Sequence, residues 1–273
     1  LFTLKTVRFL SREKPDVLIP SNGFWQLIIC KAIVIFIRAK ILVVGHSGPG
    51  WDERWNLWLK PDVFVATTGP TGQWAKKISP WTKVEMIPYG IDVKIFKNAK
   101  PANLKLKCPI ILCNAAAVSY KRVDLAIRAV SSLKGVSLLH LGTGPMLDDI
   151  LQLGKELLGD MFESRSVEYS AVPEYYDACD LVTLPSLPQE NSPMVFLEAV
   201  AAGKRVVCTD TPRNRWILGD CGIYVDPQDI ESYARALQEG LNRIGDKEKL
   251  ADRANLYSWE KIINQYKDLF LNL

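Results

Sequence analysis

Pro188-Gln-Glu190-Asn-Ser192-Pro193-Met-Val-Phe-Leu-Glu198-Ala-Val-Ala-Ala-Gly203 follows directly on the apolar run Asp180 to Pro185. That run has the length and composition of a buried strand, so the pair reads as strand, loop and helix. Ser192 is the predicted N-cap, Pro193 the first helical residue, and Gly203 the left-handed residue that ends the helix. The amides of Met194 and Val195 would then leave the first turn without intrahelical acceptors, where the helix dipole favours an anion such as a phosphate. Glu198 lies four residues after Met194 on the same face, and Glu190 lies in the loop before the cap. Both carboxylates could approach one ligand and accept hydrogen bonds from paired hydroxyls. Taken alone, the two glutamates could equally face solvent; their neighbours along the chain shift that balance.

The same alternation of short apolar runs and amphipathic stretches extends outward in both directions, the signature of βαβ units and a parallel sheet. C-terminal to residue 109, strands are predicted at Ile110 to Asn114, Val136 to Leu141, near Val167, Asp180 to Pro185, Arg205 to Thr209 and Ile223 to Val225. Helices are predicted over Arg122 to Leu133, Pro145 to Leu158, from Pro173, and over Pro193 to Ala202. Earlier in the chain, strands are predicted at Asp16 to Ile19, Ile41 to Gly45, Val63 to Ala66 and Val84 to Ile87, a second and apparently incomplete parallel sheet. Pro88 to Pro101 is rich in Lys, Asn and Pro and lacks apolar periodicity, as a linker does. Lys121 and Arg122 open a helix after strand Ile110 to Asn114, at the carboxyl end of the strands, where open α/β sheets bind ligands. Gly142-Thr-Gly144-Pro145 follows the next strand and permits close backbone approach to a ligand, or marks only a tight turn.

Composition bounds the remaining possibilities. The chain has 273 residues, 48% hydrophobic and 23% charged, which excludes disorder, collagen and coiled coil. Its longest apolar stretch, Leu27 to Gly45, is broken by Lys31, Arg38 and Lys40, so it lacks the roughly 18 uninterrupted apolar residues of a membrane span. Six cysteines without a Cys-x-x-Cys pair fit a reducing cytoplasm. The two histidines, His46 and His140, have no partner at zinc-ligand spacing, and no metal or other cofactor is expected. Residues 1–92 hold 12 Lys/Arg against 7 Asp/Glu, a bias too diffuse for a nucleic-acid stripe, and no nucleic-acid partner is expected.

In combination these segments resemble the retaining glycosyltransferases of family 4. Ile87-Pro-Tyr-Gly-Ile-Asp92 with Phe96 resembles the interdomain signature, Lys121-Arg-Val-Asp124 the Lys-Gly-Val-Asp helix start, and Leu141-Gly-Thr-Gly-Pro145 the Gly-x-Gly-Pro loop. Asp180 to Ser186 resembles the family's aspartate-apolar-Pro-Ser strand, Glu190 and Glu198 its paired glutamates, and Ser258-Trp259-Glu260 the start of its final helix. The resemblance covers nearly all of residues 14–273. It implies a GT-B-like α/β fold of two facing Rossmann-like domains, the N-terminal one incomplete: residues 1–90 on the acceptor side, 91–256 binding the nucleotide sugar, and 257–273 a helix returning to the N-terminal domain.

The resemblance further implies transfer of a sugar, with retention and without a metal, from a nucleotide-diphosphate sugar to a hydroxyl acceptor, glycan or lipid-linked. Lys121 would stabilise the leaving diphosphate, Glu190 would contact the transferred sugar and Glu198 the ribose. Ser192, Met194, Val195, Gly142 and Gly144 would border the donor, and His46 would position donor or acceptor. No Asp-x-Asp triplet occurs to hold a divalent ion. The chain departs from the family at two points. Ala116 stands where the family has an arginine, for which Arg122 is the available substitute. No counterpart of the family's first strand and glycine-rich loop precedes Leu1, so the chain reads as a fragment or a shortened form. These departures leave a non-catalytic nucleotide-binding module as the alternative, alongside a sugar-nucleotide epimerase or hydrolase of the same fold.

Trp51, Trp55 and Trp58 recur at helical spacing. Core packing is the favoured reading of this stripe. The sharper reading joins it to the basic N-terminal region as a peripheral contact with the inner membrane face or a lipid-linked acceptor. His140, flanked by leucines in a strand, is expected to be a hydrogen-bonded core residue.

Overall fold

A computed structural model describes residues 2–21, 23–243 and 246–273. The chain divides into two compact units, one of residues Leu1–Pro88 with Asn264–Leu273, the other Tyr89–Ile263. Among the described residues no helix is long and apolar enough to cross a membrane.

The first unit runs α1 (Phe2–Glu13), β1 (Val17–Leu18), α2 (Phe24–Ile33), β2 (Lys40–Gly45), α3 (Trp51–Trp58), β3 (Val63–Ala66), α4 (Gly69–Ile78) and β4 (Lys83–Met86). Its four strands pair in parallel in chain order. Ile41, Val43, Phe64 and Ala66 pack with Leu27 and Leu57 from the helices to make its core. Gly45 is required there, because a Cβ on it would stand 2.4 Å from the Phe64 ring.

The second unit continues with α5 (Val93–Lys97), β5 (Ile110–Asn114), α6 (Val123–Ser131), β6 (Ser137–Leu141), α7 (Leu147–Leu158), β7 (Phe162–Arg165), α8 (Val172–Asp177) and β8 (Leu181–Leu184). It ends with α9 (Met194–Ala201), β9 (Val206–Thr209), α10 (Pro212–Leu218), β10 (Gly222–Val225), α11 (Ile230–Asn242), α12 (Lys247–Leu256) and α13 (Trp259–Leu271), the last of which passes into the first unit's residues. The sheet order is β10-β9-β8-β5-β6-β7, all parallel. The chain builds outward from β5 through β6 and β7, then returns to the other side of β5 for β8 to β10. The reversal lies between β5 and β8, and the loops leaving their carboxyl ends flank the crevice where doubly wound sheets bind ligands. Strands buried on both faces explain the continuous apolar runs of β5, β8 and β9.

Three elements depart from the sequence expectation. The stretch expected to be a linker, Pro88 to Pro101, contains α5, capped by Asp92 and with Phe96 packed into the core of the second unit. The strand expected near Val167 is Phe162–Arg165, an edge strand of half-buried, mostly polar residues that offers no apolar run to read. On α3 the tryptophans face outward, with Trp51 68% and Trp55 45% exposed, which overturns core packing. The inward positions are Glu53, Asn56 and Leu57. Glu53 accepts the Ser47 amide at 3.0 Å and the Asn56 side-chain amide at 3.0 Å, and Asn56 packs where any Cβ on Gly23 would fall. Two polar residues thus hold the 46–50 loop and the start of α2, and the aromatic stripe takes the opposite face.

Candidate functional site

Glu198 and the start of α9 anchor the site. The helix is buried from Phe196 to Ala201, and Glu198 is the one charged residue in it, 4% exposed. Pro193, rather than Ser192, occupies the N-cap position with ψ 119, and no side chain caps the helix. The predicted Ser192 cap is therefore corrected: the extended backbone at Pro193 starts the helix one residue late, and proline has no polar side chain to cap it. The Met194 and Val195 amides still lie in the uncapped first turn. Gly203 takes the left-handed conformation, φ +70, as read from the sequence.

The Glu198 carboxylate is held from two other elements. Tyr176 on α8 donates its hydroxyl proton to Oε2 at 2.7 Å, and Asn114 at the end of β5 donates to the same oxygen at 3.2 Å and to the Tyr176 hydroxyl at 3.1 Å. Burial raises the Glu198 pKa, and the Tyr176 and Asn114 hydrogen bonds work against that rise. Burial, followed by the charge of Glu198, holds the Tyr176 hydroxyl well above its usual value, so it stays a donor.

Across the β5/β8 reversal, Lys121 Nζ forms an ion pair with Glu190 Oε2. Their side chains are 12% and 17% exposed. Lys121 closes the short turn Ser119–Lys121 that follows β5, and Glu190 lies in the loop that follows β8. The two loops are joined by the Leu187 amide on the Tyr120 carbonyl at 2.8 Å. Arg213, at the start of α10, directs its guanidinium at the backbone carbonyls of Pro188 and Glu190.

Arg122 does not join this pair. It takes a left-handed conformation, φ 51, and binds the Asp124 carboxylate through Nε at 3.0 Å and Nη2 at 2.9 Å. The bend that ends the Lys121 turn aims the guanidinium along the first turn of α6. Gly142 and Gly144 pack against backbone. Both have φ near +150, and a Cβ on them would stand 2.0 Å from the Ala115 carbonyl oxygen and 2.6 Å from that of Ala117. The close approach they permit is to the 115–117 backbone, which they support through Ala115 N to Leu141 O and Ala117 N to Thr143 O, each 2.9 Å. His140 completes that support from the core, with Nε2 on the Ala115 carbonyl at 2.9 Å and Nδ1 on Ser164 Oγ at 2.8 Å.

Lys121, Glu190, Glu198, Met194 and Val195 all belong to the second unit, on the loops and helix around the strand reversal. His46 belongs to the first unit, exposed at the end of β2 in the loop that Glu53 holds. Sequence reasoning missed Asn114, Tyr176, Arg213 and Glu53. Two carried a signal: Asn114 is a polar residue closing an apolar strand, and Arg213 is a cation in a first helical turn, against the dipole.

The family model described as Glycosyl transferases group 1 matches residues 108–243. The lipopolysaccharide core biosynthesis glycosyltransferase LpsE of Rhizobium meliloti is 26% identical over 97% of this chain and 76% of its own length. A D-inositol 3-phosphate glycosyltransferase of Corynebacterium urealyticum is 32% identical over 62% of this chain, which spans 41% of that protein. Among solved structures, Anabaena HepE in complex with UDP and glucose matches 99% of this chain and 81% of its own with a TM-score of 0.81 at 16% identity, a likeness of fold.

Proposed function

Residues 108–243 are a Glycosyl transferases group 1 domain, and from that premise we propose that the chain transfers a sugar from a nucleotide-diphosphate sugar to a hydroxyl acceptor, with retention and without a metal ion. The observation that carries this reading is the Lys121–Glu190 pair on the loops after β5 and β8, in the same unit as the uncapped start of α9 and the buried Glu198. The Met194 and Val195 amides bind the diphosphate, and Lys121 stabilises the charge that develops on it as the sugar leaves, an electrostatic contribution that is usually large. Glu198 accepts from the ribose. Glu190, tied to Lys121 in this structure, accepts from hydroxyls of the transferred sugar. The acceptor hydroxyl attacks from the face the diphosphate leaves, and a leaving-group oxygen takes its proton. No glutamate acts as a covalent nucleophile, because the second carboxylate is occupied with the ribose. The absence of an Asp-x-Asp triplet supports metal independence. His46 positions the donor or the acceptor.

The test is calorimetric titration of nucleoside diphosphates and their sugars against the wild type, Lys121→Ala and Glu198→Ala. Binding weakened at least tenfold by each change is expected; binding unaffected by both would refute the site. Turnover with candidate acceptors, with and without EDTA, and the anomeric configuration of the product by NMR test transfer, metal independence and retention. Nucleotide binding with no sugar release under any of these conditions would favour the non-catalytic alternative.

Contact with anionic lipid at the inner membrane face is a second reading, favoured by one specific observation. Trp25, 72% exposed, meets Phe24 at 5.0 Å between ring centroids, and the rings continue through Trp55 at 5.5 Å to Trp58 at 5.0 Å and Trp51 at 6.5 Å. Arg54 lies over Trp51 at 5.3 Å. Exposed indoles in mutual contact beside cations suit a headgroup layer. Co-sedimentation with phosphatidylglycerol vesicles, lost in Trp25→Ser/Trp55→Ser/Trp58→Ser, supports it; no co-sedimentation of the wild type removes it.

A further inference from the structure

Glu198 has two oxygens in unlike circumstances. Oε2 receives both Tyr176 and Asn114, while among the described residues Oε1 has no hydrogen-bond partner. Tyr176 is fully buried, wedged edge-on against Phe96 at 5.6 Å, and its hydroxyl also reaches the Val195 carbonyl at 3.5 Å. The three residues come from α8, β5 and α9, so the carboxylate is clamped between separate elements and its side chain cannot turn independently of them. Oε1 is left as a single anionic acceptor, on a residue whose backbone lies about 6 Å along the helix from that of Met194. That is close to the span from a 5′-phosphate to the hydroxyls of its own ribose.

We propose that Tyr176, assisted by Asn114, is a positioning residue that commits Glu198 Oε2 to the protein, presents Oε1 to the ribose hydroxyls, and so makes the site select ribonucleotides over 2′-deoxyribonucleotides. The proposal rests on the donor reading given above. The physical reason is acceptor capacity. An ionised carboxylate only accepts, but a buried one drifts towards protonation, and a protonated one would itself present a donor to the ribose hydroxyl. The Tyr176 hydrogen bond opposes that drift while fixing the plane of the group. Tyr169, from the turn before α8, senses the charge of the same carboxylate and that of Asp92.

The experiment titrates UDP, GDP, ADP and their 2′-deoxy counterparts into wild type, Tyr176→Phe and Asn114→Ala, with thermal melting as the control for folding. Tyr176→Phe keeps the ring and its Phe96 contact, and Asn114→Ala removes the second donor if the first variant fails to fold. The wild type should prefer the ribo form of its nucleotide by about tenfold or more, the worth of one hydrogen bond to a charged group. Tyr176→Phe should bring that ratio below about threefold by weakening the ribo form while changing deoxy affinity less than twofold. It should also move the pH at which ribo binding is lost upward. Equal weakening of both forms, or an unchanged ratio and pH profile, would overturn the proposal and leave Tyr176 a packing residue. A wild type that binds nucleotide without any ribose preference would overturn the ribose role of Glu198 together with it. A wild type that binds no nucleoside diphosphate would overturn the donor reading on which both stand.

Discussion

Replacing Gly142 by alanine separates two readings of the same glycine. If Gly142 exists to admit a ligand, Gly142→Ala leaves the ligand-free protein as stable as before and weakens binding. If it exists to admit the 115–117 backbone, the ligand-free protein itself is destabilised. Gly142 has φ +152, a region essentially restricted to glycine, so a side chain there costs about 1–3 kcal/mol in backbone strain. The new Cβ would also lie 2.0 Å from the Ala115 carbonyl oxygen and 2.8 Å from its carbon. Relieving that overlap displaces a segment held by the Ala115–Leu141 and Ala117–Thr143 hydrogen bonds, each worth about 0.5–1.5 kcal/mol. The total is roughly 2–6 kcal/mol, a fall in Tm of about 4–24 °C at 2–4 °C per kcal/mol. Gly135→Ala is the control: φ is +70 there, nothing lies within 4 Å of the added Cβ, and only about 1–2 kcal/mol of strain applies. Circular-dichroism melts of the two variants without ligand decide the matter. Gly142→Ala melting with or above Gly135→Ala would refute the packing argument.

Three further outcomes follow from the same structure. Burial lowers the His140 pKa, so below about pH 6.5 the unfolded chain binds a proton that the folded one refuses, and this contribution to stability is lost as pH falls through the folded value. Because burial raises the Glu53 and Glu198 pKa values and their contributions run the other way, the readout is a difference: urea midpoints of wild type minus His140→Gln should narrow between pH 7.5 and 5.5. Asp180 accepts the Ile110 amide at 2.7 Å, and Asp180→Ala should cost about 1–3 kcal/mol in urea unfolding by leaving the first amide of β5 without that acceptor. Glu53→Ala strips acceptors from both Ser47 and Asn56 and should speed limited proteolysis within the 46–50 loop, a change that Asp52→Ala, exposed on the same helix, should not produce.

Most of the fold was legible because parallel strands covered on both faces must be apolar throughout, and such runs announce themselves. The strands Val63–Ala66 and Ile110–Asn114 were read to the residue. Phe162–Arg165 was not, because an edge strand pairs on one side and tolerates the polar sequence Phe-Glu-Ser-Arg. The α3 stripe fails for a different reason. Periodicity finds an aromatic face but carries no sign for which side is inward. Here the inward side went to Glu53 and Asn56, whose value lies in hydrogen bonds to residues distant in sequence.

The site divides along the same line. Lys121, Glu190 and Glu198 were visible because each stands beside a local landmark, such as a strand end or a helix start. The Arg122–Asp124 pairing was not legible because the side-chain direction depends on a left-handed backbone that a non-glycine residue does not advertise. Tyr176 and Asn114 were invisible because what makes them part of the site is their meeting at one oxygen from elements 62 and 84 residues apart in pairing. Local pattern therefore names the candidate ligand groups, whereas the groups that set their charge and orientation emerge only from the topology. At this strand reversal those hidden groups are also the ones with least freedom. Asn114 closes the central strand, Tyr176 is sealed beneath it, and Glu198 sits in a helix buried nearly all round. The carboxylate inherits the rigidity of the sheet, while Glu190, in a loop pinned by Tyr120 and Arg213, has among the described residues only backbone contacts and one lysine to fix it. Any rearrangement on donor binding should consequently fall on the Lys121–Glu190 pair and leave Glu198 in place.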